Sequence, residues 1–142
     1  MSDDKSLQRL IAVQAIYEVS INKNRTHNPV NEIFNDIIES SSFKNKLQKT
    51  NISFALEIYD GVYKNSEKID RILSGSLNKL NKIDTMDRLL KAIFKPAIFE
   101  LFFHNDLKKN IVISEYLLIT KRFFADKECA LMNGVLDNLH ES

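Results

Sequence analysis

The groups in this chain that could do catalytic chemistry are three histidines, one cysteine and nineteen carboxylates. Histidines and carboxylates at helical spacing can hold a metal, and a cysteine beside a histidine can act as a nucleophile. His27, His104 and His140 fall in a loop, at a helix end and in the C-terminal tail, and none pairs with another across a glutamate at ligand spacing. Cys129 is alone, which rules out an internal disulfide and a cysteine-cluster metal site and fits a reducing compartment. Phosphate-cradling loops and nucleophile turns need clustered glycines, and there are only three in all. Asp84, Asp87 and Glu115 read as helix caps or first-turn charges favoured by the helix dipole. These absences point away from an enzyme and from any cofactor or metal, and toward a binding protein.

The segment Cys129 to Leu139 is the most informative for binding. Read as a helix, it gathers Leu131, Met132, Val135, Leu136 and Leu139 on one side and leaves Asn133, Gly134 and Asp137 off that stripe. A glycine inside a helix costs roughly 1 kcal/mol relative to alanine. Gly134 therefore reads either as the site of a close helix crossing, where Gly134→Leu would overpack, or as part of a contact surface with Asn133.

The elements that must position these groups are all helical. With 142 residues, 44% of them apolar, the chain has the size of one domain, spanning 1–142. Three glycines and two prolines are too few for the tight turns of a sandwich or a doubly wound sheet. Apolar residues recur at helical spacing in segments beginning near Lys5, Asn28-Pro29, Thr50-Asn51, Ser66, Asp84-Thr85, Ser114 and Asp126, with a polar turn over Asn105–Asn110. The pattern predicts an all-α, single-domain bundle of about seven helices. Met86 to Phe103 is the most hydrophobic stretch and reads as the central helix, bent near Ala92–Pro96 by its proline. No apolar run approaches the ~20 residues that span a bilayer, and the acidic start Ser2-Asp3-Asp4 is not a signal peptide, so a cytoplasmic, soluble protein is expected. Net charge is +1, from 20 basic and 19 acidic residues, so any nucleic-acid contact must come from a local patch or a basic partner.

Three segments then resemble the NusB family of transcription antitermination factors. Ala12-Val13-Gln14-Ala15-Ile16-Tyr17 is similar to the family's A-V-Q-A-L-Y. Met86-Asp87-Arg88-Leu89-Leu90-Lys91-Ala92-Ile93-Phe94, followed by Phe99-Glu100-Leu101, resembles L-D-R-x-L-R-A-x-L…Y-E-L. Ile113-Ser114-Glu115-Tyr116, Phe123-Phe124 and Met132-Asn133-Gly134-Val135-Leu136-Asp137 resemble I-N-E-Y…F-F…V-N-G-V-L-D. The resemblance implies a NusB-like bundle that, with the small-subunit ribosomal protein NusE, grips single-stranded boxA-like RNA within the RNA polymerase antitermination complex. It departs from the family in its first residues, where an arginine-rich arm is replaced by a segment of two acids and two bases.

Carried over by position, the resemblance implies RNA contact by Lys5, Arg9, Gln14, Tyr17 and Asn133, and partner contact by Asp87, Arg88 and Lys91. Lys5 and Arg9 read equally as solvated charges, and Tyr17 equally as a core tyrosine with its hydroxyl at the rim. On the RNA reading, Arg9→Glu should weaken binding without harming the fold. The competing reading is a protein-interaction bundle, possibly a homodimer, whose RNA binding is weak or lost.

Overall fold

The computed structural model describes residues 2–24, 30–40, 51–77, 83–104 and 106–139. The expected helix start at Asn28-Pro29, the connector over 43–50, Leu80, Asn105, His27 and His140 lie outside them. Seven α-helices occur among the described residues, and no strand: α1 (Ser2–Ile21), α2 (Val30–Ser40), α3 (Ser53–Lys64), α4 (Ser66–Ser76), α5 (Arg88–Phe103), α6 (Lys109–Phe123) and α7 (Asp126–Asp137). The all-α expectation holds. None of these helices is long and apolar enough to cross a membrane.

Helix α5 is the hub, packing on α1, α3, α4, α6 and α7. Its sequence explains this, because Leu90, Ala92, Ile93, Phe94 and every residue from Pro96 to Glu100 are buried. The helix runs unbroken through Pro96, which removes only the hydrogen bond its nitrogen would give to Ala92. It begins later than expected. Asp87, not Asp84 or Thr85, is the cap, its Oδ1 accepting the Leu89 and Leu90 N–H groups at 2.8 and 3.1 Å. Ile83–Thr85 forms a separate 3-10 turn ahead of it.

Helix α1 lies against α2, α3 and α5. Ala12 and Ala15 are fully buried, and such small residues let neighbouring backbones approach from more than one side. It also completes α3: the buried Gln8 accepts the Ala55 N–H at 3.1 Å, one of the amides a helix start leaves without an internal partner. Asn51 accepts from Ser53 N at 2.8 Å, so the expected Asn51 start signal is used. Helix α6 corrects a boundary. It starts at Lys109 rather than Ser114, because Val112 and Ile113 are already buried on its inner face, and this places Glu115 inside a helix rather than at its cap.

Close packing at a glycine occurs, but not where the sequence suggested. A Cβ on Gly134 would meet nothing within 4 Å, and Gly134 is exposed on α7. The close-crossing reading of Gly134 is therefore corrected. At Gly61 of α3, by contrast, a Cβ would overlap the ring of Phe99 from α5. Gly61→Ala is expected to cost about 1–3 kcal/mol through this overlap. Gly134→Ala should instead add up to ~1 kcal/mol of helix stability. Urea midpoints of the two variants against the parent check both signs.

Candidate nucleic-acid interface

Any surface that α1 presents depends on how α1 is held, and a buried charge cluster holds it. Glu100 is the one carboxylate within the apolar run of α5 and is only 2% exposed. A carboxylate buried this deeply must be paired and hydrogen-bonded to stay ionised. Arg9 of α1, also 2% exposed, meets it with two parallel hydrogen bonds, Nε to Oε2 at 2.7 Å and Nη2 to Oε1 at 2.9 Å. The Tyr116 hydroxyl of α6 donates to the same Oε2. The third guanidinium nitrogen, Nη1, donates to Glu115 Oε1 at 2.8 Å, which also accepts from Ser6 Oγ. One guanidinium thus ties α1 to α5 and α6 using the fork geometry that only arginine offers. Burial opposes the Arg9 charge, but the hydrogen bond and charge of Glu100, with Tyr116 and Glu115, outweigh it, so Arg9 holds its proton more tightly than usual. Tyr116 is held well above the ordinary tyrosine range, by burial first and by the Glu100 charge second.

This geometry corrects the expectation for Arg9. Its donors point inward and its side chain is enclosed, so it is neither a phosphate contact nor a solvated surface charge. Arg9→Glu would set a third carboxylate against Glu100 and Glu115, and would harm the fold rather than spare it. Lys5 remains at the surface, half-buried, with Nζ 4.9 Å from the centroid of the Phe54 ring, on which Arg9 also lies at 5.1 Å.

The other expected residues fall into separate groups. Gln14 and Tyr17 are half-buried and share a face of α1 at i, i+3 spacing. Lys5 precedes Gln14 by nine residues, a rotation of about 180° at 3.6 residues per turn, so the two lie on opposite sides of α1. Asn133 is exposed on α7, which packs on α5 and α6. Asp87 is engaged as the α5 cap, Arg88 is exposed with Nη1 3.4 Å from the Ser20 carbonyl, and Lys91 is half-buried. A cavity of about 180 Å³ lies where Arg88, Lys91 and Lys95 face Ile16 and Ser20 of α1. Glu100, Lys95 and Ser20 were absent from the sequence-derived site. The signal for Glu100 was available: a lone acid between Phe94 and Phe103 demands a buried cation. His104 ends α5 as expected, with Nε2 2.6 Å from Glu57 Oε1. Among the described residues, no cluster of His, Cys, Asp and Glu is arranged to hold a metal.

Comparison with known proteins places this scaffold. The family model described as NusB family matches residues 6–141. The transcription antitermination protein NusB of Geotalea daltonii is 31% identical over 94% of this chain and 92% of its own length. That of Psychromonas ingrahamii is 33% identical over 91% and 82%. In structure, the chain is similar to one in a crystal structure of the antitermination factors NusB and NusE in complex with double-stranded RNA, with a TM-score of 0.77 at 19% identity, covering 96% of each chain. The solution structure of NusB from Aquifex aeolicus gives 0.74 at 22%, covering 94% of this chain and 85% of that one. At these identities the structural likenesses establish the fold.

Two outcomes follow from the buried cluster. Arg9→Gln should destabilise the protein by about 3–5 kcal/mol, because it strands a buried carboxylate; a urea titration showing under 1 kcal/mol would remove the cluster from its structural role. Because the folded state keeps Tyr116 protonated above its unfolded value of 10.0, its contribution is complete below pH 10 and is lost as pH rises beyond it. Thermal melts from about pH 9 to about pH 11, around the ordinary tyrosine value, should show a shallower alkaline loss for Tyr116→Phe than for the parent.

Proposed function

The chain belongs to the NusB family, and from that premise we propose that it is a transcription antitermination factor that, with the ribosomal protein NusE, grips single-stranded boxA-type RNA and supports processive ribosomal RNA transcription in the cytoplasm. The observation that carries this reading is the family match over residues 6–141, on a scaffold whose seven described helices follow the same fold. The role is binding rather than catalysis, exercised by a single domain over 1–142. Gln14 and Tyr17 on one face of α1 supply a polar group and a half-buried ring for a base; Lys5 on the opposite side and Asn133 on α7 are separate contacts that a longer strand would have to reach around the helix to meet. Single strands are held by such combinations of cation and aromatic plane.

With Arg9 committed to the core, Lys5 is the only base left to the start of α1, and the whole chain carries +1. RNA affinity is therefore expected to be weak for the chain alone and to rise strongly when NusE is present. A second reading has its own observation: Ile111, Leu118 and Phe123 of α6 are 43%, 59% and 42% exposed, the kind of apolar surface that a protein partner or a second copy covers. Fluorescence anisotropy with labelled boxA RNA, with and without NusE, separates the two. Tight binding only in the mixture supports cooperative recognition. No RNA binding in either case, with self-association in sedimentation, would leave the protein-interaction reading in its place.

A further inference from the structure

Several cations are committed within the chain: Arg9 to Glu100, Lys95 to Asp70 and Lys109 to the Asp137 carbonyl. Lys64, Lys68 and Arg71 are not. All three are exposed, and none makes an ion pair among the described residues. They line one depression of about 570 Å³ at the corner between α3 and α4, together with the Tyr63 ring. Glu67 is the one acid in that lining, which leaves three bases against it.

The corner is built to hold its shape. Asn65, the one residue between the two helices, gives its backbone N–H and its side-chain amide to the Gly61 carbonyl, at 3.1 and 2.8 Å. Its own carbonyl accepts the Ile69 N–H at 2.9 Å, and the buried Val62 and Ile69 anchor the corner on both sides. The Tyr63 ring is also supported. It lies 4.7 Å from the Tyr59 ring, which meets the buried Phe34 of α2 edge-on at 5.6 Å, yet Tyr63 itself is 43% exposed. Gly61 faces Phe99 of α5, and Tyr63 follows two residues later, a rotation of about 200°. The ring therefore points away from α5, and this surface is separate from the one that α1 and α5 share.

We propose that the α3–α4 corner is a second RNA contact, taking a single-stranded segment outside the boxA stretch, with a base on Tyr63 and its phosphates among Lys64, Lys68 and Arg71. The proposal rests on the RNA-binding reading above and adds a surface to it. A strand is a polyanion, and the lining answers it with three unpaired cations around one supported aromatic plane, the combination that holds single strands without regard to sequence. An acidic peptide would use the cations and leave the ring plane without a matching group. The depression is shallow and open to solvent, so a free nucleotide would be held weakly. A strand already gripped by the complex arrives at high effective concentration, and a modest contact then adds to its affinity. Lys68 and Arg71 are the principal cations, since Lys64 in the last turn of α3 also serves the dipole of that helix.

The test compares two labelled RNAs against the chain mixed with NusE: a minimal boxA strand, and the same strand carrying an unstructured uridine tract at each end. The parent should bind the extended RNA about tenfold more tightly than the minimal one. Tyr63→Leu, which keeps an apolar contact with Tyr59 but removes the ring plane, should lose most of that gain, and Tyr63→Phe should retain it. The double variant Lys68→Gln, Arg71→Gln should also lose it, and the slope of log K against log salt for the extended RNA should fall by about 0.7 per contact removed. All these variants should bind the minimal RNA as the parent does. Equal affinity of the parent for the two RNAs, or a gain undiminished in both Tyr63→Leu and the double variant, would overturn the corner site while leaving boxA recognition intact. Weaker NusE binding by the double variant without RNA, with the gain intact, would make the corner a protein interface instead. Failure of the parent mixture to bind the minimal RNA would overturn the RNA reading itself and the corner site with it.

Discussion

One guanidinium organises this protein. Arg9 makes two hydrogen bonds to the buried Glu100 and one to Glu115, and so fixes α1 against the hub helix α5 and against α6. An isolated charge at either position would carry a desolvation penalty of several kcal/mol; paired and fully hydrogen-bonded, the two are tolerated. What the pairing supplies is geometry. A bidentate contact fixes both the distance and the rotation of α1 relative to α5, where an apolar contact of the same area would allow sliding. The hydroxyl of Tyr116 adds a third hydrogen bond to Glu100, and no polar atom of the Arg9–Glu100 pair is left without a partner.

That constraint divides the polar residues of α1 by purpose. The stripe Arg9, Val13, Ile16 and Ser20 recurs at i, i+4, i+7, i+11 and faces α5, so the same helix side that buries Arg9 at one end opens into the cation-rimmed cavity at the other. Gln14 and Tyr17 stand beside that stripe and reach the surface. The exposed chemistry is thereby concentrated toward the C-terminal half of α1 and the first turns of α5, while the N-terminal half is spent on the fold. The near-zero total charge is compatible with nucleic-acid binding once three cations are gathered on one side of a helix, because a phosphate responds to local potential rather than to the sum over the chain.

The two informative glycines follow the same division. Gly61 makes room for the Phe99 ring and belongs to the packing of α3 on α5. Gly134 has open space around it and sits beside the exposed Asn133, so its cost to helix stability has no counterpart in the packing of this chain. A bare backbone at an exposed helix surface allows close approach from outside.

The helical class, the apolar faces of α3, α5 and α7, and the central place of α5 were legible in the sequence, because each depends on side-chain periodicity along one segment. So was the family, whose motifs are local strings such as Ala12–Tyr17 and Asn133–Asp137. Tertiary structure alone decided what Arg9, Glu115 and Gly134 do. Arg9 and Glu100 are ninety-one residues apart, and a charge reads the same in sequence whether it meets solvent or a buried carboxylate. Glu115 resembles a first-turn acid until the preceding turn of α6 is seen to be helical. A glycine's need for space depends on what another helix places opposite it, and no spacing within its own helix reports that. Periodicity says which way a side chain faces; only the fold says what it faces.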